Sequence, residues 1–378
     1  MRTKLCEMFG IEVPIVAFSH CRDVVVEASK AGGLGVFGAE AFTVEELAIE
    51  LAWIEEHIGG RPYGVDVLIA TRSTDISGYG NADPESVLPE RNRNFVADLL
   101  DKHGVPHLPA DEEDRMTRER LHTGRNTPEY SARLLEVAFG FPGVRLIVSA
   151  LGTPPRAMIA RAHAANIKVA ALVGSVRHAQ RQLEAGVDML IAQGHEAGGH
   201  TGEIATMVLT PQVVDAVAPL PVLAAGGIAS GRQMAAALAL GAEGVWCGSV
   251  WLTTVQSNLL PEARAKLLAA TSSDTLRSKS LTGKPARMVR TEWSDAWEAP
   301  DAPESLGRPL QGLLVRAAVA RIERSRNQPL ISSYVGQVVG QMNEQRTVRQ
   351  VFSEMLTEYA DAMERVNGLS EPAATTLA

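Results

Sequence analysis

The stretch PVLAAGGIASGRQMAAALALGAEGVWCGS, residues 221–249, decides the fold. An apolar run over 221–225 leads into two glycines, and a segment with helical spacing of its apolar residues follows over 230–240. Gly241 stops that segment as a helix-ending glycine would, and a second apolar run covers 243–248. Strand, glycine turn, helix and strand in this order predict a βαβ unit of a parallel sheet.

The turns that end these two strands predict a phosphate site. Gly226 and Gly227 leave room for a phosphate beside the backbone, and Ser230 can cap the following helix, whose free N–H groups would act as donors. The second strand ends at Gly248 and Ser249, a glycine with a hydroxyl neighbour. Glycines that only turn the chain are the alternative. On these turns alone, nucleotide cofactors and sugar phosphates both fit.

Eight short apolar runs recur along the chain, most of them followed by a helical segment, as expected for buried parallel strands with crossover helices. The predicted strands cover 13–17, 34–38, 63–69, 144–150, 167–173, 187–193, 221–225 and 243–248. The predicted helices between them cover 22–31, 44–57, 130–139, 155–165, 176–185, 211–217 and 230–240. Because the phosphate turns follow strands seven and eight, we expect an α/β fold closed into a (β/α)8 TIM barrel.

A long insertion and a C-terminal extension interrupt this alternation. Residues 71–128 are polar, contain Pro and Gly, and offer one helix at 91–103. An insertion at the C-terminal end of a strand can be a lid over an active site, and a purely structural or disordered excursion is the equally weighted alternative. We therefore expect a barrel over 1–270, a C-terminal helical segment packed on it over 271–368, and a frayed tail over 369–378.

Within the C-terminal segment, 309–325 and 344–366 have the pattern of amphipathic helices.

The charge and cysteine content of the chain mainly exclude classes of partner. A formal net charge of -8 offers no basic surface for nucleic acid or an anionic membrane. The three cysteines lack zinc-site spacing, and neither a signal peptide nor a membrane span is evident, so we expect a cytoplasmic protein.

The segment AQGHEAGGHTGE, residues 192–203, is the most distinctive in the chain. It places Gln193, His195, Glu196 and His200 at the C-terminal end of strand six, where barrels carry catalytic side chains. The histidine spacing is one residue too long for a helical zinc motif, so we predict no metal. His200 is the predicted catalytic histidine, because imidazole can exchange protons near neutral pH, whereas a satisfied loop histidine is the favoured interpretation of His195.

Together with KAGGLGVFG at 30–38, these segments resemble the nitronate monooxygenase family, formerly called 2-nitropropane dioxygenases, over about 1–70 and 140–342. The resemblance implies an FMN-bound barrel that oxidises alkyl nitronates with molecular oxygen and uses His200 as the catalytic histidine. Its implied cofactor-binding residues are Ala17, Phe18, Ser19, His20, Asp66, Gln193, Gly194, Gly199, Gly226, Gly227, Ile228, Gly248, Ser249, Gly336 and Gln337. His20, His195 and Tyr334 would line the substrate pocket.

Departures from the family pattern affect the substrate more than the cofactor. The loop after strand one reads AFSHCRD, which adds the polar His20, and Asp66 stands where the family usually has Asn. Relatives of the same fold reduce quinones or enoyl thioesters with NAD(P)H, so an FMN-dependent reductase is the alternative function. A barrel that binds a phosphorylated ligand without redox chemistry is the third. The expected partners are a small-molecule substrate and O2 or NAD(P)H. The sequence leaves open whether the chain forms a homo-oligomer.

Overall fold

A computed structural model describes residues 1–69, 87–109, 111–112 and 127–370. Eight parallel strands form a closed barrel in the order β1-β2-β3-β4-β5-β6-β8-β9, which confirms the predicted fold class. These strands are β1 Ile15–Ser19, β2 Leu34–Gly38, β3 Tyr63–Val67, β4 Val144–Ser149, β5 Lys168–Val173, β6 Met189–Gln193, β8 Val222–Ala225 and β9 Gly244–Cys247. Each overlaps one of the eight predicted strands.

Helices surround the barrel and follow most of its strands. Those of the first half are α1 Lys4–Phe9, α2 Arg22–Lys30, α3 Val44–His57, α4 Glu90–Lys102, α5 Pro128–Phe139, α6 Arg156–Ala164 and α7 Val176–Ala185. Those of the second half are α8 Thr206–Val217, α9 Gly231–Ala239, α10 Pro261–Ala269, α11 Glu292–Trp297, α12 Leu310–Arg324 and α13 Val348–Ser370. No helix in the described ranges has the length and apolarity needed to cross a bilayer.

The interior of the barrel is filled by apolar side chains that alternate along the strands. Val16, Leu146, Met189 and Trp246 belong to one buried cluster with Leu5 of α1, which covers the N-terminal end of the barrel. A second apolar layer lies between the strands and the outer helices. The packed interior leaves the C-terminal strand ends as the place for a site.

A small antiparallel sheet was not predicted. Its strands β7 Gly199–His200, β10 Thr275–Ser278 and β11 Ala286–Val289 pair in the order β10-β11-β7. Two of them lie in the segment that the sequence indicated as helical. We call residues 194–203, which follow β6, the Gly-His loop. Because His200 pairs with Ala286, this loop is joined to the C-terminal part of the chain.

Two local boundaries also differ from the sequence expectation. Helix α8 begins at Thr206 and contains Pro211, whereas the prediction started at 211, because proline is common at the first position of helices. Strand β1 lies two residues later than predicted, so Phe18 and Ser19 belong to the strand and not to the turn after it.

The last helix packs on the barrel layer beside the predicted phosphate turn. Phe352 is buried and stacks on Trp251, with 5.5 Å between ring centroids. The Gly231 N–H at the start of α9 donates to the Glu358 carboxylate at 2.7 Å. A Cβ at Gly231 would lie only 1.9 Å from the Met355 carbonyl oxygen, so the two backbones touch. Helix α13 thus fixes the position of α9.

Part of the long insertion also contacts the C-terminal segment. The predicted helix at 91–103 is present as α4, and its buried Asn92 donates to the Glu304 carbonyl at 3.0 Å. The Arg321 guanidinium on α12 donates to the carbonyls of Val105 and Pro106. The remaining stretches of the 71–128 insertion, the possible lid, lie outside the described residues at 71–86, 110 and 113–126, and so do residues 371–378 of the predicted 369–378 tail.

Candidate active site

The predicted site residues come from neighbouring strands at one end of the barrel. Gln193 at the end of β6 pairs with Ala225 of β8, and Ala225 pairs with Trp246 of β9. Cys247 then pairs with Ala17 of β1. Because all these strands are parallel, the loops that follow them emerge at the same C-terminal end.

The turn after β8 has a backbone that only glycine adopts easily. Gly226 and Gly227 have φ of 95° and 71°, in the left-handed region. A Cβ at Gly226 would lie 3.0 Å from the Ala197 Cβ. The turn is therefore built for glycine, and it lies directly against the Gly-His loop.

The amides at the start of α9 differ from the expectation of free donors. The N–H groups of Ala229 and Ser230 donate to the Gln233 side chain, at 2.8 and 3.1 Å, and the Gly231 N–H donates to Glu358. A phosphate at this turn would have to be held by the amides of 226–228, before the helix, and not by the helix terminus itself.

The turn after β9 contacts the C-terminal segment that the resemblance implicates. The Ser249 hydroxyl accepts the Gly336 N–H at 2.8 Å, and the Gln337 N–H donates to the Glu196 carbonyl at 2.9 Å. A Cβ at Gly336 would lie 2.7 Å from that same Glu196 oxygen. The segments containing Gly248 and Ser249, Gly336 and Gln337, and the Gly-His loop therefore meet at backbone contact distance.

Glu196 fastens the Gly-His loop to the start of helix α8. Its carboxylate accepts the Thr206 N–H at 2.9 Å and the Thr206 hydroxyl at 3.0 Å. The same hydroxyl lies 2.8 Å from the Gly226 carbonyl oxygen. Glu196, which the sequence placed at the strand end without a role, thus links the loop, the helix and the glycine turn.

Replacing Glu196 by glutamine should loosen this link. We expect a loss of about 1–2 kcal/mol in the free energy of unfolding, because a charged acceptor of partly buried N–H and O–H groups becomes a neutral one. Urea unfolding measures it. Glu203→Gln is the matched control in the same loop, since Glu203 is exposed and pairs with Arg277 at the surface. Equal losses in the two variants would contradict the role of Glu196.

His195 has one of its two ring nitrogens satisfied. The buried Arg287 of β11 donates to His195 Nε2 at 2.9 Å and to the His195 carbonyl at 3.2 Å. His195 Nδ1 is buried and has no hydrogen-bond partner among the described residues. The interpretation as a satisfied loop histidine therefore holds for Nε2 and fails for Nδ1. Arg287 itself was not predicted as a site residue.

His200 is exposed, and both of its ring nitrogens are hydrogen-bonded. Nδ1 lies 3.0 Å from the Pro285 carbonyl oxygen, and the Arg308 guanidinium lies 2.7 Å from Nε2. Partial burial lowers the pKa of His200, and the positive charges of Arg308 and Lys284 lower it further, against the opposing Pro285 carbonyl. The imidazole is thus neutral at physiological pH and able to accept a proton.

The ends of strands β1–β3 carry the departures from the family pattern. Phe18 stacks on Trp246, with 5.6 Å between ring centroids, and its ring meets the His20 ring edge-on. His20 Nδ1 lies 3.0 Å from the carbonyl oxygen of Gly38, the strand partner of Asp66. Burial and the nearby Glu40 charge raise the pKa of Asp66 well above its ordinary value. Asp66 therefore keeps its proton to a higher pH than an ordinary aspartate does.

Tyr334, the predicted pocket wall, forms a bridge with Met288 of β11 and is 42% exposed. Gly199, also predicted at the cofactor, pairs with Arg287 in the small sheet and has φ of 73°. The small sheet therefore brings the Gly-His loop, Arg287 and the Tyr334 segment together beside the barrel end.

A protein-family model described as nitronate monooxygenase matches residues 2–358. The chain belongs to the nitronate monooxygenase family. The resemblance seen in the sequence is confirmed, and the protein is an oxidoreductase of the nitronate monooxygenase type.

Known proteins match the chain over most of its length. A Mycobacterium tuberculosis protein that is provisionally named a monooxygenase is 52% identical over 98% of this chain and 99% of its own length. A Staphylococcus aureus protein provisionally named nitronate monooxygenase is 30% identical over 77% of this chain and 79% of its own. The structure of a nitroalkane oxidase from Streptomyces ansochromogenes has a TM-score of 0.79 at 24% identity, covering 96% and 99% of the two chains. At that identity the likeness shows a shared fold.

Proposed function

We propose that this nitronate monooxygenase family member binds FMN and oxidises alkyl nitronates with molecular oxygen. The contact between the two glycine turns, the Gly336 segment and the Gly-His loop carries the proposal. It joins a pair of turns suited to a phosphate with a loop that bears a neutral histidine. The nitronate specificity rests on the family to which the chain belongs, and His200 bears on the use of neutral nitroalkanes.

The residues at the turns fit a flavin phosphate. Gly226 and Gly227 have left-handed φ values and the Gly-His loop packs against their Cβ side, whereas Gly248 is open on one side, since a Cβ there would make only an ordinary contact with Phe18. Main-chain amides of 226–228 and 248–249 would hold the phosphate, as at other glycine-rich phosphate turns. The bound flavin would supply the transfer of electrons from substrate to oxygen.

Asp66 fits a flavin site only in its neutral form. A protonated carboxyl has one O–H donor and one carbonyl acceptor, which is the hydrogen-bonding pattern of the asparagine that the family usually has there. The burial that raises the pKa of Asp66 favours this neutral form over the charged one by which the sequence departs from the family pattern.

His200 would act as the base when the substrate is a neutral nitroalkane. The C–H bond next to the nitro group breaks, its proton forms an N–H bond at Nε2, and the electron pair moves onto the nitro group. The products of this step are a nitronate and an imidazolium. Because Nδ1 faces the Pro285 carbonyl, the proton would go to Nε2, which faces Arg308 and must first lose that contact.

An anaerobic titration of the purified protein tests the proposal. We expect a yellow protein whose visible absorption bleaches on addition of propionate 3-nitronate and returns with oxygen. Rapid bleaching by NADPH or NADH without a nitronate would favour the reductase instead. A colourless protein that takes up no added FMN would contradict both and favour a barrel that binds a phosphorylated ligand.

The proposed compartment is the cytoplasm. Cys6, Cys21 and Cys247 are all buried and none forms a disulfide. Burial raises the pKa of the Cys247 thiol to about 12, so it stays protonated. Unlinked thiols agree with a reducing compartment.

A further inference from the structure

The contact between Arg308 and His200 fixes the state of the imidazole. An arginine side chain has only N–H donors, so His200 Nε2 must be the acceptor in the 2.7 Å contact with it. The ring proton of a neutral imidazole then lies on Nδ1, which donates to the Pro285 carbonyl at 3.0 Å. The two contacts together select one of the two neutral tautomers.

The two charged groups that act on this ring are both positive. Arg308 faces it from the segment before α12, and Lys284 from the turn between β10 and β11. Within the described ranges, neither cation has a carboxylate oxygen within 4.0 Å, whereas the nearby Arg277 pairs with Glu203 at 2.6 Å. The positive charge at His200 is therefore not neutralised by these parts of the protein.

Space is available on the side of this contact. A Cβ added at Gly199, beside His200, or at Gly307, beside Arg308, would meet no atom within 4 Å. His200 is exposed and Arg308 is partly exposed, so both side chains are accessible. A small anion could reach them without moving the backbone.

We propose that Arg308 is the positioning residue of His200, which holds the imidazole as the Nδ1-protonated tautomer and keeps Nε2 as the accepting atom until a substrate arrives. This inference rests on the proposed function, in which Nε2 removes a proton. The oxygens of a nitro group or a nitronate would accept N–H bonds from Arg308 and draw it away from Nε2. The base would then be released at the moment when the substrate is bound.

The substitution Arg308→Met removes the charge and the donor but keeps a long side chain. We expect the acid limb of the nitroethane pH profile to move to higher pH, because the imidazolium loses a repelling neighbour. Well below the wild-type acid limb, the loss in kcat/KM should approach about fivefold beyond any loss at pH 8, which corresponds to one charge interaction in a hydrated site. Arg308→Lys should restore the limb in part.

A direct titration of the ring keeps this test apart from the reaction. In protein labelled with ¹⁵N-histidine, the His200 resonance is assigned by its disappearance in His200→Ala. We expect wild type to show a protonated Nδ1 and an unprotonated Nε2, and Arg308→Met to show mixed tautomers and a higher titration midpoint. Arg290→Met, which removes an arginine paired with Asp295, is the matched control.

An unchanged His200 titration and tautomer in Arg308→Met, with the melting temperature kept, would overturn the proposal. So would the same shift in Arg290→Met. Because the spectrum needs no turnover, a protein that binds FMN but oxidises no nitronate would refute the proposed function while the tautomer result still decides the role of Arg308.

Discussion

Replacing His200 by alanine should lower kcat/KM for a neutral nitroalkane by about 10²–10⁴, the usual contribution of a general base, while the flavin stays bound. The reason is that Nε2 of His200 is the proposed proton acceptor and faces the partly exposed Arg308, whereas Nε2 of His195 is held by the buried Arg287, which also donates to the His195 carbonyl. Steady-state oxygen consumption with nitroethane measures the effect. Turnover of a preformed nitronate should fall much less, because its proton is already gone.

The pH dependence follows from the direction of the pKa shift. Since the pKa of His200 is lowered by partial burial and by Arg308 and Lys284, the neutral base persists below the usual range of histidine. Activity on nitroalkanes should be full above that lowered pKa and be lost as the pH falls through it.

His178→Ala, at an exposed position of α7, is the control for His200→Ala. An undiminished nitroalkane rate in His200→Ala with full flavin content would refute the base role.

Gly226→Ala should abolish most of the cofactor binding. The added methyl group meets the Ala197 Cβ at 3.0 Å, and φ of 95° disfavours any residue but glycine. We expect FMN affinity to fall by about tenfold or more, equivalent to about 1.4 kcal/mol. Fluorescence titration of the apoprotein with FMN measures it.

Gly186→Ala is the matched control for Gly226→Ala. Gly186 ends α7 with φ of 94°, and a Cβ there would meet nothing within 4 Å. Both variants should lose about 1–2 kcal/mol of stability from the left-handed backbone, but only Gly226→Ala should lose FMN. Similar FMN affinities in the two variants would place the phosphate elsewhere.

The barrel could be predicted because its signal is local. Each buried parallel strand is a short apolar run that ends in glycine or polar residues, and this holds for β3 and β8, which are buried throughout. The small sheet could not be predicted this way. Strands β10 and β11 are four residues each and carry Arg277 and Arg287, so neither has an apolar run, and β7 is only two residues long.

The residues predicted for the site lie in motifs that can be recognised in the sequence. The structure adds residues that only the fold brings close to these motifs. Glycine turns and the Gly-His loop have their own sequence patterns. Arg287 and Arg308 come from distant segments, and a single arginine usually indicates a surface position. The buried Arg287 reaches His195 only because β11 pairs with β7. The raised pKa of Asp66 likewise depends on burial, which its position in the strand alone did not reveal.

The most direct test of the central claim is the electron density of a crystal of this protein grown or soaked with FMN. We expect the phosphate on the main-chain amides of 226–228 and 248–249, with the isoalloxazine ring within reach of a substrate that contacts His200. Density showing both turns without a phosphate, or the ring turned away from His200, would contradict the account.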